Sequence, residues 1–206
     1  MRAVAPSISA AAAAELVDDL ESRAAMLIEG GTPTDEAVSL IVADHGLQAH
    51  APDPVALRRA VALPFDRGHA PLPGALELVR SLHALGWRLV VVSNTLFRDA
   101  VSYRGDFDAA GIGDCIDGIV TSVDLGARKP DPALVRTALD LARTEARRAV
   151  MVGNSEESDV LPARALGLAT VRVAIEQPAP AASAADAVVT SLDEALAAVV
   201  RVAAHR

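Results

Sequence analysis

Polar side chains that could bind or transform a ligand follow three separate stretches of the sequence. Ser93 and Asn94 come directly after a run of valines. Lys129 precedes a proline-led helix start, and Asn154 and Asp159 follow another apolar run. A hydroxyl, an ammonium group and an amide all donate hydrogen bonds to anions, whereas a carboxylate accepts them. We therefore predict a binding site for a small anionic or polar ligand.

The three stretches lie within an alternation of helical and strand patterns that begins at Pro73. Helical spacing of apolar residues predicts helices over 74–85, 99–110, 132–143, 159–166 and 192–203. Short valine-rich runs predict strands over 89–92, 118–121, 149–152, 170–174 and 187–190. Repeated strand–helix units with short connections indicate an α/β fold with a parallel sheet. Ligands bind at the carboxyl ends of such strands, where all three polar stretches fall.

The first third of the chain has a different pattern. Residues 2–5 are predicted to form a short strand that Pro6 ends. Residues 11–68 contain three runs of helical spacing and no strand pattern. This part is therefore expected to form a helical unit beside the sheet.

Composition excludes several classes of partner. The 206 residues carry 19 basic and 27 acidic side chains, a net charge of −8, which disfavours binding to nucleic acid. No apolar run approaches the roughly 20 residues of a membrane span, so we expect a cytoplasmic protein that does not bind membranes. The single cysteine, Cys115, excludes an internal disulfide and fits a reducing compartment.

The polar stretches also resemble a known set of motifs. They read Val-Val-Ser-Asn-Thr over 91–95, Arg-Lys-Pro-Asp-Pro over 128–132 and Val-Gly-Asn-Ser-Glu-Glu-Ser-Asp-Val over 152–160. In order and spacing they are similar to the second, third and fourth motifs of the haloacid dehalogenase superfamily. The resemblance implies a Rossmann-like core formed by residues 1–10 and 69–206. Residues 11–68 would then be a helical cap inserted between the first two strands.

The first motif of that superfamily is the one from which this sequence departs. In active members it reads Asp-x-Asp-x-Thr, in which the first Asp attacks phosphorus, the second is the general acid/base, and both lie beside Mg²⁺. Aligning residues 1–10 with it places Ser7 at the nucleophile position and Ser9 at the acid/base position. Asn154 replaces an Asp of the fourth motif. The resemblance thus predicts that phosphatase and dehalogenase activity and Mg²⁺ binding are absent.

The part of the site that holds phosphate in that superfamily is retained. By resemblance it consists of Ser93, nearby backbone amides and Lys129, and Asn94, Asn154 and Asp159 are further candidates for ligand contacts. We therefore expect a metal-independent pseudoenzyme that binds a small anionic or polar metabolite or has a repurposed activity. For Lys129, an ion pair with Asp159 is an equally good interpretation.

Two other functions fit the same residues. One is a divergent hydrolase or lyase that uses Ser7, Asp159 or residues of the cap. The other is a non-catalytic structural or regulatory partner of another protein chain, and a homodimer is compatible with both.

Overall fold

The computed structural model describes residues 9–46, 53–62, 70–175 and 182–205. The helices are α1 (Ala10–Glu29), α2 (Thr34–Asp44), α3 (Pro54–Val61), α4 (Ala75–Ala84), α5 (Ala100–Ala109), α6 (Ser122–Leu125), α7 (Pro132–Ala142), α8 (Leu161–Ala165) and α9 (Leu192–Ala204). The strands are β1 (Val90–Ser93), β2 (Gly118–Thr121), β3 (Val150–Gly153), β4 (Ala169–Val173) and β5 (Ala187–Val189). The strand predicted over residues 2–5 lies outside the described residues.

Helices α1, α2 and α3 share one hydrophobic cluster. In α1, Leu16, Leu20, Ala24 and Ile28 recur every fourth residue, so that they lie on one face, and all four are buried. That face packs on buried residues of α2 and α3. Leu96 and Phe97 pack against the same cluster from the loop after β1. The division into a core and a cap over residues 11–68 stays a prediction.

All the described strand pairs are parallel, as the sequence predicts. Strand β1 pairs with β2, and β3, β4 and β5 form a second sheet in that order. Alternate residues of β3 face opposite sides: Val150 and Val152 pack with α4 and α9, whereas Met151 packs with α7 and α8. Helices thus cover both faces, and the predicted α/β, Rossmann-like fold class is confirmed.

One helix differs from its prediction in a way that matters for the site. The pattern over 159–166 predicts a continuous helix, but the chain first makes a π-helical turn, Glu156–Val160, and α8 follows. Ser155 begins this turn, because its hydroxyl accepts a hydrogen bond from the Ser158 amide. The wider turn buries the side chain of Asp159. Among the described residues, no helix is both long and apolar enough to cross a membrane.

Candidate active site

Ser93 ends β1, and its hydroxyl is placed by an aromatic side chain. Its Oγ lies 2.9 Å from the Oη of Tyr103, which belongs to α5. The Ser93 Oγ also lies 3.5 Å from the carbonyl oxygen of Asn94. That distance is beyond the range of a good O–H···O hydrogen bond, so Tyr103 is the main partner of Ser93.

Asn94 and Lys129 join the loops after β1 and before α7. The Asn94 side chain donates to the Lys129 carbonyl oxygen at 2.9 Å and accepts from the Lys129 amide at 2.8 Å. These two hydrogen bonds fix the backbone of Lys129. The peptide bond between Lys129 and Pro130 is cis. Lys129, the single lysine of the chain, is thereby directed to the carboxyl end of β1.

The ion pair between Lys129 and Asp159 is present. The Lys129 Nζ donates to Asp159 Oδ1 at 2.6 Å and to the Val92 carbonyl oxygen at 2.9 Å. The second carboxylate oxygen of Asp159 accepts from the Ser155 amide at 3.0 Å. An ammonium group has three N–H donors, so these two bonds leave one for a ligand. The pair and an anion-binding role for Lys129 are therefore compatible.

The space between β1 and β3 is lined by residues along the length of both strands, and the strand predicted over residues 2–5 lies outside the described residues. The walls of this space are apolar where it is lined by strand residues such as Val91 and Met151, whereas Lys129, Asn154 and Asp159 give it polar character. The five residues predicted for ligand contacts are thus positioned by neighbouring strand ends. Among the described residues that line this space, Asp159 is the single carboxylate.

The two serines aligned with the first motif have different outcomes. Ser7 lies outside the described residues. Ser9 is the N-cap of α1, because its hydroxyl accepts a hydrogen bond from the Ala12 amide at 3.1 Å. Its side chain therefore caps a helix, and residues 1–8, which precede it, lie outside the described residues.

Sequence reasoning missed Arg172 and Glu156, which hold the loop after β3. The buried Arg172 donates to the Asn154 carbonyl oxygen at 3.2 Å and to Glu156 at 2.9 Å. Glu156 also accepts from the hydroxyl of Ser183 and the amide of Ala184, and these bonds, with the charge of Arg172, lower its pKa. A charged residue within an otherwise apolar strand pattern is the signal that could have indicated such a partner.

A buried ion-pair network connects α3 to the loop after β1. Arg58 is 4% exposed and donates to Asp35 and to the Phe97 carbonyl oxygen. Asp99 is 1% exposed and accepts from Arg59 at 2.6 Å and from Arg58 at 3.4 Å. The sequence indicates only dispersed charges here, but these groups tie the first three helices to the strand that carries Ser93.

Asp99 is also the N-cap of α5, since it accepts from the amide and hydroxyl of Ser102. Burial by itself raises the pKa of the Asp99 carboxyl. The hydrogen bonds from Ser102 and Arg59 and the charge of Arg58 outweigh burial and hold that pKa well below its usual range.

Gly153 is required by the position of Asp159. A methyl group at Gly153 would overlap the Asp159 carboxylate. We expect Gly153→Ala to lower the free energy of unfolding by about 1–3 kcal/mol, because Asp159 must move away from Lys129. Urea unfolding measures this change in the free energy of unfolding.

The control is Gly105→Ala in α5, where a methyl group meets nothing within 4 Å. We expect this substitution to raise the free energy of unfolding by roughly 0.5–1 kcal/mol. Equal effects of the two substitutions would contradict this role of Gly153.

The fit of a magnesium ion depends on Asp159. No group of three His, Cys, Asp or Glu side chains that could hold a metal occurs among the described residues. Mg²⁺, however, usually binds through one or two carboxylates together with water and substrate phosphates. The prediction that Mg²⁺ binding is absent considered protein side chains and did not include the phosphate oxygens of a substrate. Asp159, buried and held at the carboxyl end of β3, fits such a site as its protein carboxylate, so the predicted loss of Mg²⁺ binding does not follow.

Comparison with known proteins places these residues in context. The chain is 38% identical to a phosphoglycolate phosphatase of Rhodospirillum rubrum over 125 residues, which are 61% of this chain and 46% of that protein. It is 28% identical to a glyceraldehyde 3-phosphate phosphatase of Methanocaldococcus jannaschii over 103 residues, 50% of this chain and 44% of the relative. The chain thus spans just under half the length of these relatives.

The fold is shared with a solved phosphatase structure. A haloacid dehalogenase superfamily phosphatase from Thermococcus onnurineus superposes with a TM-score of 0.60 at 20% identity. The match covers 90% of this chain and 91% of the other.

These relatives correct the functional prediction made from the sequence. They are named as phosphatases, so the prediction of a pseudoenzyme that has lost phosphoryl chemistry is wrong. That prediction depended on assigning Ser7 and Ser9 to the first motif. Ser7 lies outside the described residues and Ser9 caps α1, so the assignment of these two serines to the first motif stays a prediction.

The profile of the haloacid dehalogenase-like hydrolases matches residues 2–167, which is well over half of the chain. The match includes the five predicted ligand-contact residues, which are Ser93, Asn94, Lys129, Asn154 and Asp159. The chain therefore belongs to the haloacid dehalogenase-like hydrolase family.

Proposed function

We propose that this protein is a phosphatase that hydrolyses phosphate monoesters of small metabolites. The observation that carries the proposal is the position of the Lys129 ammonium group, which is held at the carboxyl end of β1 by the Val92 carbonyl oxygen and the Asp159 carboxylate. A positive charge fixed before the substrate arrives stabilises a phosphate dianion without further rearrangement.

Each described residue has a separate part in holding the phosphate. Lys129 supplies charge and one N–H donor, and Ser93 supplies a hydroxyl. Asn94 keeps Lys129 in place through its two-way bond with the Lys129 backbone. Asp159 partly balances the lysine charge when no phosphate is bound. Such a site binds phosphate reversibly and can release the product.

Asp159 would supply the protein carboxylate that binds Mg²⁺. Bound there, Mg²⁺ would neutralise charge on the phosphate. Lys129 and Ser93 would hold the other phosphate oxygens. This differs from the metal-independent activity predicted from the sequence.

The substrate class is suggested by the relatives. The two named above act, by their names, on phosphoglycolate and glyceraldehyde 3-phosphate, which are small phosphorylated metabolites. The ion pairs of Arg58 and Arg59 with Asp99 tie α3 to the loop after β1, which also carries Asn94.

The test is phosphate release by the full chain from 2-phosphoglycolate, glyceraldehyde 3-phosphate and, as a bulky comparison, adenosine monophosphate. With millimolar Mg²⁺ we expect turnover of at least one small substrate, and chelation of the metal should abolish it. Release no faster than in the absence of protein, for every substrate tried, would reject the proposal.

A further inference from the structure

We infer that Tyr103 is a positioning residue that orients the Ser93 hydroxyl toward the phosphate. The inference rests on the proposed function, since it concerns the same anion-binding site. Tyr103 belongs to α5, outside the three polar stretches that carry the family resemblance.

Either hydroxyl can donate across the 2.9 Å contact between Ser93 and Tyr103. A hydroxyl has one donor and two acceptor positions. If Tyr103 donates across the 2.9 Å contact, the Ser93 proton is left for another acceptor. The Asn94 carbonyl oxygen could accept this proton, but at 3.5 Å it is too far from the Ser93 Oγ for a good hydrogen bond. An anion bound beside Lys129 would provide the acceptor that this arrangement lacks.

The tyrosine ring is held in place by two neighbouring side chains. The guanidinium carbon of Arg98 lies 4.8 Å from its centroid, a cation–π arrangement. Phe107, one helical turn further along α5, stacks on it with ring centroids 5.9 Å apart. Arg98 is itself paired with the buried Asp106. The phenol oxygen that contacts Ser93 therefore belongs to a ring whose position is held by these contacts.

Two hydrogen bonds in series strengthen each other. Donation from Tyr103 to Ser93 makes the serine a better donor to the phosphate. Removing the phenol oxygen should therefore weaken phosphate binding by about 3- to 10-fold, the effect of one neutral hydrogen bond. Because Ser93 holds the phosphate in both substrate and transition state, KM should rise while kcat changes little.

The chain contains a single tyrosine, which allows a direct spectroscopic test. Full-length protein is titrated with orthophosphate, and both the heat of binding and the ultraviolet difference spectrum of tyrosine are recorded. We expect saturation to perturb the tyrosine band, and Tyr103→Phe to bind phosphate 3- to 10-fold more weakly. The control is Thr137→Val, which removes a hydroxyl that donates within α7 to the Ala133 carbonyl oxygen, and should bind within about twofold of the parent.

A double substitution distinguishes a positioning role of Tyr103 from a general loss of stability or binding. Ser93→Ala combined with Tyr103→Phe should bind phosphate no more weakly than Ser93→Ala alone, because Tyr103 acts through Ser93. Fully additive losses would overturn the inference, as would phosphate binding by the parent without any change in the tyrosine spectrum. The spectral criterion uses the parent protein and stands even if Tyr103→Phe does not fold. Complete absence of phosphate binding by the parent would reject the proposed phosphate site together with this inference.

Discussion

Lys129→Met lowers kcat/KM for a small phosphate monoester by about 100- to 1,000-fold, the loss expected when a preorganised charge is removed from the transition state. Methionine retains most of the lysine's length but cannot donate to phosphate. The measurement is initial-rate phosphate release under conditions where the folded fraction of each protein is known.

Stability must be controlled, because the same substitution breaks the pair with Asp159. Leaving that carboxylate buried and unpaired costs about 3–5 kcal/mol. Lys129→Met combined with Asp159→Asn removes both charges and should recover part of this loss. Activity should stay absent in the double variant. Recovery of activity together with stability would mean that Lys129 acts only as the structural partner of Asp159.

Asp99→Ala is expected to have the largest effect on stability. It removes the N-cap of α5 and leaves Arg58, which is 4% exposed, without one of its carboxylate partners. We expect the free energy of unfolding to fall by about 3–5 kcal/mol, which lowers Tm by on the order of 10 °C in a chain of this size. Thermal unfolding followed by circular dichroism measures the change.

The matched control is Asp131→Ala, which removes the cap of α7. Asp131 is exposed and accepts only from the Ala133 amide at 2.8 Å. Its loss should cost about 1 kcal/mol, the typical value for a helix cap. If the two alanine variants lose the same stability, the buried network around Asp99 contributes nothing beyond a cap.

The same network predicts a dependence on pH. The pKa of Asp99 in the folded protein is depressed, so its contribution is complete above the unfolded value of about 3.9 and is lost as pH falls below that value. Parent protein should therefore lose stability below about pH 4 more steeply than Asp99→Asn. Parallel curves for the two proteins in that range would contradict the assignment.

The fold was largely predictable because its signals are local. The spacing of Leu16, Leu20 and Ala24 defines α1, and the run over 118–121 gives β2 with its observed bounds. Ser93, Lys129 and Asp159 could be brought together in advance, since parallel strands end at one edge of a sheet. The π-helical turn that holds Asp159 has no local pattern distinct from an α-helix.

The contacts that were missed are long-range. Arg58 and Asp99 are 41 residues apart in sequence, and neither residue type nor spacing indicates that they meet. Tyr103 lies on the helix after Ser93, where a lone aromatic residue is expected simply to pack. The functional error had another origin, because the loss of activity was inferred from neutral residues aligned with motif carboxylates, which are Ser7, Ser9 and Asn154. A serine before a helix is more often its cap, as Ser9 is.

The most direct test of the account follows the ammonium group of Lys129 itself. Because the chain has a single lysine, protein labelled with ¹⁵N at lysine Nζ gives one side-chain ammonium signal by NMR, which can be followed during titration with orthophosphate. The account predicts a saturable shift of that signal, with the same dissociation constant as calorimetry, and loss of the binding heat in the variant with both Lys129→Met and Asp159→Asn. An ammonium signal that stays unchanged while phosphate saturates the protein would place the phosphate elsewhere and contradict the account.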